Sequence, residues 1–231
     1  YRIAILGASG AVGREMLKVL EERSLPIASL KLLASRRSAG KTLLFQGQPL
    51  TIEEADEHSF DDVDIVLGAA ENDVARRFVP IAVAKGAVVI DNSSAYRLDE
   101  EVPLVIPEVN AADAFAHHGI IANPNCATII ALVALNALHD AYHARRMIVS
   151  TYQAVSGAGI GGIGELETQM KEMSEGRALS EPAVFPYPIA CNLIPQIGGF
   201  DELGYSSEEM KMQNEGRKIL HEDTLRVNCT C

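Results

Sequence analysis

The chain has 231 residues, enough for one large domain or two small ones, and 48% of them are hydrophobic. This ordinary globular composition excludes intrinsic disorder as the dominant state, and the most apolar stretch, 127–138, is too short to cross a membrane. A net charge of −11 opposes binding to nucleic acid, and four cysteines without a CxxC pair favour a reducing, cytoplasmic environment over a disulfide scaffold or a metal site.

Strands alternate with helices along the first 125 residues. Apolar runs predict strands, and helical spacing predicts two helices, one from residue 16 to near Pro26 and one over 74–85. The predicted strands are 2–6, 30–34, 64–68, 87–91 and 119–122. This βαβ alternation predicts a parallel sheet with helices on both faces, which is a Rossmann-like α/β domain over residues 1–125.

The pattern changes after Asn125, where we place a domain boundary. A second, α+β domain over residues 126–231 is predicted to begin with a long apolar helix and to contain a glycine-rich loop. Its predicted elements are a helix at 126–143, a strand at 147–155, the loop at 157–164, a helix at 165–174, an extended segment at 181–195 and a helix at 207–221.

Both ends of the sequence fall inside predicted strands. The chain opens with Tyr1 directly in a strand, and residues 225–231 alternate between apolar and polar like a half-buried strand that ends without a turn. We therefore expect a fragment of a longer protein, incomplete at its C-terminal end. A naturally short protein with a terminal edge strand is the alternative.

Three glycines, Gly7, Gly10 and Gly13, lie between the first strand and the first helix. Glycine allows a tight turn, a close approach of backbone to a pyrophosphate, and close packing of helix on strand. The N-terminus of the helix offers free N–H groups and a positive partial charge to the anion. The pattern predicts a dinucleotide site, and a purely structural glycine turn is the alternative.

The end of the second strand indicates which dinucleotide binds. An NAD enzyme usually has an acidic residue there, for the 2′-hydroxyl of the ribose. Here Ser35, Arg36, Arg37 and Ser38 follow the strand, with no acid nearby. Two guanidinium groups suit a 2′-phosphate, which they can bind bidentately. This favours NADP over NAD, and a solvated basic loop is the alternative.

Cys126 opens the long apolar helix, after Pro124 and the possible N-cap Asn125. In the first turn its sulfur faces the positive end of the helix dipole, which favours the thiolate. A thiolate beside a nicotinamide can add to an aldehyde, and the hemithioacetal then gives up a hydride and leaves a thioester. A buried core cysteine is the alternative.

Seven motifs together resemble the bacterial type of aspartate-semialdehyde dehydrogenase, along the whole chain. They are GASGAVG (7–13), SRRSAGK (35–41), DNSSAYR (91–97), PEVN (107–110), NPNCATI (123–129), YQAVSGAG (152–159) and EEMKMQNE (208–215). The related N-acetyl-glutamyl-phosphate reductases and glyceraldehyde-3-phosphate dehydrogenases share the chemistry but differ around the cysteine.

The resemblance implies a reaction and an assembly. Aspartyl phosphate and NADPH would give aspartate semialdehyde, NADP and phosphate, reversibly and through a thioester on the cysteine. The reaction lies on the way to lysine, through diaminopimelate, and to threonine and methionine. The family forms a homodimer, or a dimer of dimers, through its second domain.

The resemblance also implies roles for individual residues. Cys126 would be the nucleophile, Asn125 would lie beside it, and Gln153 would orient the acyl group. Arg97 and Lys211 would bind phosphate, and Glu208 the amino group of the substrate. The residues implied to bind the cofactor are Gly7, Ser9, Gly10, Ala11, Val12, Gly13, Ser35, Arg36, Ser38, Ser156, Gly157 and Gly159.

Two features limit these expectations. On spacing alone, Glu208 and Lys211 share a helix face and could form an ordinary exposed ion pair. The family's general-base histidine and carboxylate-binding arginine belong to a segment beyond Cys231, so we expect residues 1–231 by themselves to turn over poorly. Two other functions stay open: another phosphate-coupled semialdehyde dehydrogenase, and a non-catalytic NADP-binding protein.

Overall fold

The structure is a computed structural model that describes residues 1 to 231. Its nine strands are β1 (Arg2–Leu6), β2 (Ser29–Ala34), β3 (Thr42–Phe45), β4 (Gln48–Glu54), β5 (Ile65–Gly68), β6 (Val88–Asp91), β7 (Ile120–Ala122), β8 (Arg146–Ser150) and β9 (Arg226–Thr230). Its six α-helices are α1 (Ala11–Glu22), α2 (Asn72–Ala84), α3 (Pro107–Asn110), α4 (Cys126–Tyr142), α5 (Gly159–Ser174) and α6 (Ser207–Leu220).

Seven strands form one sheet in the order β3-β4-β2-β1-β5-β6-β7. All neighbouring pairs are parallel except β3 and β4, so the predicted parallel α/β sheet is confirmed. The chain winds outward from β1 in one direction and then returns to β5 on its other side. Ligands bind in sheets of this class at such a reversal point, beyond the carboxyl ends of the strands.

Helices cover both faces of this sheet, as predicted. Ile3 and Ile5 of β1 pack in one buried cluster with Leu17 of α1. Ala4 and Leu6 of the same strand belong to another cluster, with residues of α2. Successive side chains of a strand point to opposite faces, and this alternation gives β1 a core on each side.

The β3–β4 hairpin is an addition that the sequence analysis missed. Gln46 and Gly47 join the two strands, and both have positive φ, 50° and 76°. Two-residue hairpin loops favour this conformation because its twist matches that of the strands. The hairpin extends the sheet beyond β2 and places Glu54 directly opposite Ala34.

The core around α4 and α6 includes residues from both sides of the predicted boundary at residue 125. Leu104 and Ile106 belong to the same buried cluster as Leu132, Met212 and Ile219. The boundary therefore stays a prediction. The predicted last strand is observed as β9, which pairs in parallel with β8 in a separate two-stranded sheet.

Two predictions for the second half were wrong. The predicted strand at 147–155 ends at Ser150, and the predicted loop at 157–164 lies mostly in α5, which begins at Gly159. A Cβ on Gly162 would lie 2.5 Å from the carbonyl oxygen of Val155 and 2.8 Å from the Ala158 side chain. Glycine there serves close packing of α5 on the preceding 3-10 turn, and this packing overrides its low helix propensity.

Side chains of α5 hold the proline-rich segment 181–195, which forms no strand. Glu165 accepts hydrogen bonds from the backbone N–H groups of Ala183 and Val184, and Gln169 accepts from those of Ile189 and Ala190. None of the helices is long and apolar enough to cross a membrane.

Candidate active site

A cavity of about 930 Å³ opens at the carboxyl ends of the central strands. Its walls come from the turn after β1, the basic loop after β2, the segments after β5 and β6, and the 3-10 turn before α5. All predicted cofactor residues except two, Gly13 and Ser38, line this cavity. The cavity therefore brings together segments from both halves of the sequence.

The glycine turn presents the N-terminus of α1 to this cavity. Gly10 is the N-cap and has no side chain that could cap the helix. The first N–H groups therefore stay available to an anion. Gly7 has a φ of +91°, and a Cβ there would lie 2.5 Å from the Ala69 carbonyl oxygen. Gly13 packs instead: its Cβ would lie 2.7 Å from Ala8 Cα.

The basic loop after β2 contributes Arg36 and Arg37, which are exposed and line the cavity. Ser38 is buried, and its N–H donates to the Ser35 carbonyl over 2.8 Å, so this residue closes the turn. The expectation of no acid nearby was wrong, because Glu54 at the end of β4 lines the same cavity. An uncapped helix N-terminus and two guanidinium groups still fit a dinucleotide with a 2′-phosphate.

Cys126 is the first residue of α4 and is exposed. The prediction of Asn125 as the N-cap is confirmed, since its Oδ1 accepts from the N–H groups of Ala127 and Thr128 over 2.9 and 3.3 Å. Cys126 does not line the 930 Å³ cavity. Ser156 does line it. Gln153, three residues before Ser156, and Asn125, the residue before the cysteine, both donate to Glu208, so the segment 153–156 connects the cavity with the surroundings of the cysteine.

Three of the predicted site residues meet at the carboxylate of a fourth. Glu208, in the first turn of α6, is only 5% exposed. One of its oxygens accepts from Asn125 Nδ2 over 2.8 Å and from Gln153 Nε2 over 3.0 Å, and the other from Lys211 Nζ over 3.0 Å. Burial opposes ionisation, but these hydrogen bonds outweigh it and hold the pKa of Glu208 below its ordinary value.

Arg97 is joined to this cluster through Glu215, a residue to which the sequence analysis gave no role. Arg97 Nη1 donates to Glu215 over 3.1 Å, and its Nη2 donates to the carbonyl of Asn92 over 2.7 Å. The other oxygen of Glu215 accepts from the backbone N–H of Asn125 over 2.7 Å. Burial raises the pKa of Glu215, despite the opposing charge of Arg97.

The spacing along α6 could have indicated Glu215. It lies seven residues after Glu208 and four after Lys211, so the three side chains share one helix face. This face points towards Asn125 and Arg97, two residues from distant parts of the chain. The site therefore depends on the packing of α6 against the start of α4 and the loop after β6.

Two separate stretches of the chain match known protein families. Residues 2–117 match the family described as semialdehyde dehydrogenase, NAD binding domain. Residues 135–231 match semialdehyde dehydrogenase, dimerisation domain, which supports a homodimer. The chain is thus a semialdehyde dehydrogenase with a dinucleotide-binding domain.

Individual relatives narrow this class. The chain is 49% identical to the aspartate-semialdehyde dehydrogenases of Bacillus subtilis and Aquifex aeolicus, over 99% and 100% of its length and 68% and 69% of theirs. The crystal structure of aspartate semialdehyde dehydrogenase II from Vibrio cholerae complexed with ASA superposes with a TM-score of 0.97, at 45% identity over 100% of this chain and 69% of that one. The chain belongs to the aspartate-semialdehyde dehydrogenase family, which confirms the resemblance and the prediction of an oxidoreductase.

Proposed function

We propose that the protein carries out the NADP-dependent, phosphate-dependent interconversion of aspartate semialdehyde and aspartyl phosphate, with Cys126 as the nucleophile. The observation that carries this proposal is the convergence of Asn125, Gln153 and Lys211 on Glu208, beside the N-terminus of α4. The reaction would serve the synthesis of lysine, threonine and methionine.

The charges of the cluster suit a substrate that carries both signs. The depressed pKa of Glu208 keeps this carboxylate ionised at neutral pH, so that it can pair with the ammonium group of an aspartyl substrate. Lys211 and Arg97 supply the cations for phosphate. Arg97 Nε is buried and has no hydrogen-bond partner in the protein. The Vibrio cholerae relative is described in complex with ASA, which agrees with this choice of substrate.

The start of α4 provides the nucleophile. Cys126 stands in the first turn of α4, at the positive end of the helix dipole, and the Asn125 cap fixes this turn. The thiolate adds to the aldehyde carbon, and loss of a hydride from that carbon leaves a thioester on Cys126. Phosphate then attacks the thioester, the carbon–sulfur bond breaks, and aspartyl phosphate leaves while the thiolate is restored.

NADP, when bound, would supply the hydride acceptor. The N-terminus of α1 after Gly10 would hold its pyrophosphate, and Arg36 and Arg37 its 2′-phosphate. Ser156 and Gly157 would line the nicotinamide side. These three segments border one cavity, which supports a single bound dinucleotide.

The test is the reduction of NADP by aspartate semialdehyde, with and without phosphate, in the native gene product and its Cys126→Ala variant. We expect phosphate-dependent activity that Cys126→Ala abolishes. Cys191→Ala is the matched control, since Cys191 is the other exposed cysteine and should leave the rate unchanged.

The alternatives give different results in the same assay. Activity with N-acetyl-glutamate semialdehyde but not with aspartate semialdehyde would indicate the related reductase. Binding of NADP without turnover of any semialdehyde, and without alkylation of Cys126 by iodoacetamide, would indicate a non-catalytic NADP-binding protein.

A further inference from the structure

Glu215 is a buried carboxylate to which neither the family resemblance nor the proposed reaction assigns a task. It is 1% exposed, on the inner face of α6. Removing a carboxylate from water is costly unless hydrogen bonds and an opposite charge compensate it. The groups that Glu215 binds therefore indicate its role.

Those partners are the two elements that the proposed reaction must align. One oxygen of Glu215 binds the guanidinium of Arg97, and the other binds the backbone N–H of Asn125, the residue that precedes the nucleophile. The two partners lie 118 and 90 residues away in the sequence. A single carboxylate therefore links the proposed phosphate ligand to the start of the catalytic helix.

A second contact also fixes the guanidinium group of Arg97. Its Nη2 donates to the Asn92 carbonyl, and its side chain is 10% exposed. Nη1 and Nη2 thus each have one partner, and Nε has none in the protein. The two contacts fix the plane of the guanidinium group, which keeps three of its five N–H groups for further hydrogen bonds.

We propose that Glu215 is a positioning residue, which holds Arg97 and the Asn125–Cys126 turn in a fixed relation so that phosphate meets the thioester carbon. The proposal rests on the proposed function. A displacement of about 1 Å between reacting groups is enough to slow a reaction strongly, so a bridge of two hydrogen bonds, of 3.1 and 2.7 Å, is a sensitive point. Loss of this bridge should affect phosphate more than the dinucleotide, whose cavity Glu215 does not line.

The test compares Glu215→Gln with the wild-type gene product. An amide keeps the shape but cannot accept from both Arg97 and Asn125 with equal strength. We expect the KM for phosphate to rise on the order of 10- to 100-fold and kcat to fall, because a buried charged hydrogen-bond partner is lost. The dissociation constant for NADP should change by less than about twofold.

Glu172→Gln is the matched control. Glu172 is also buried and also has an arginine beside it, Arg177 at 3.7 Å, but it lies on α5 and binds the backbone of Ser180. This variant should keep the phosphate KM of the wild type. A purely structural role of Glu215 would lower the amount of folded enzyme, and leave the KM for phosphate unchanged.

A folded Glu215→Gln variant with wild-type phosphate KM and kcat overturns the proposal. If that variant does not fold, Glu215→Asp is the second test, because it keeps the charge on a shorter side chain. It should raise the KM for phosphate by a smaller factor. An unchanged KM for phosphate, or failure of both variants to fold, assigns Glu215 to structure alone. An inactive wild type overturns the proposed function and this inference with it, whereas an active wild type with an unaffected variant overturns only this inference.

Discussion

Close packing of α1 on the turn after β1 can be tested by adding a single methyl group at Gly13. A Cβ on this residue would overlap the carbonyl oxygen of Gly7 and lie 2.7 Å from Ala8 Cα and 3.0 Å from its carbonyl carbon. All three atoms belong to the backbone, so no side chain can rotate away. Gly13→Ala therefore requires α1 to move outward from the sheet.

The expected cost follows from two opposing effects. Overpacking of a well-packed core costs about 1–3 kcal/mol, and we take about 3 because backbone atoms must move. Alanine has a helix propensity better than that of glycine by about 1 kcal/mol, which offsets part of the cost. We expect Gly13→Ala to lower the free energy of unfolding by about 2 kcal/mol.

Urea unfolding followed by circular dichroism measures this change. Gly164→Ala is the control, since Gly164 lies inside α5 and no heavy atom lies within 4 Å of its added Cβ. It should raise the free energy of unfolding by about 0.5–1 kcal/mol. NADP affinity should fall in Gly13→Ala alone, because the shifted helix carries the anion-binding N-terminus. A Gly13→Ala protein as stable as Gly164→Ala would refute the packing interpretation.

Two further predictions concern charge. Replacement of Arg36 and Arg37 by glutamate should weaken NADP on the order of 100-fold or more and NAD far less, because each lost charged hydrogen bond contributes about 1.5–3 kcal/mol; fluorescence titration with both dinucleotides that shows an unchanged preference would exclude the two arginines from this role. The lowered pKa of Glu208 means that its contribution to stability is present above its unfolded-state pKa and is lost as the pH falls through the folded-state value. Wild type should therefore lose more stability between pH 7 and pH 3 than Glu208→Gln does, and parallel unfolding midpoints across that range would contradict this.

The sequence alone was sufficient to predict the features that interactions between neighbouring residues determine. The apolar run of β1, the glycines and the helical spacing of α1 predict a strand, a turn and a helix, and all three are observed. The N-cap Asn125 is likewise a local feature, since its side chain bonds N–H groups two and three residues ahead. Such features need no knowledge of the rest of the fold.

The sequence alone did not reveal the features that depend on contacts between distant segments of the chain. Glu54 reaches the cofactor cavity because β4 pairs with β2, and a search along the chain near Arg36 could not reveal it. Glu215 has its role from partners about a hundred residues away. The glycines from Gly159 onward predicted a loop from propensity, but tertiary packing at Gly162 places them in a helix.

The measurement that tests the central claim most directly is capture of the covalent intermediate. Aspartate semialdehyde and NADP would be mixed with the native gene product without phosphate, quenched with acid, digested, and analysed by mass spectrometry. The proposed function predicts an aspartyl group on the peptide that contains Cys126, in an amount equal to the NADPH formed, and its removal when phosphate is added before the quench. NADPH formation with no such adduct, or with the adduct on exposed Cys191 instead, would contradict the assignment of Cys126 as the nucleophile.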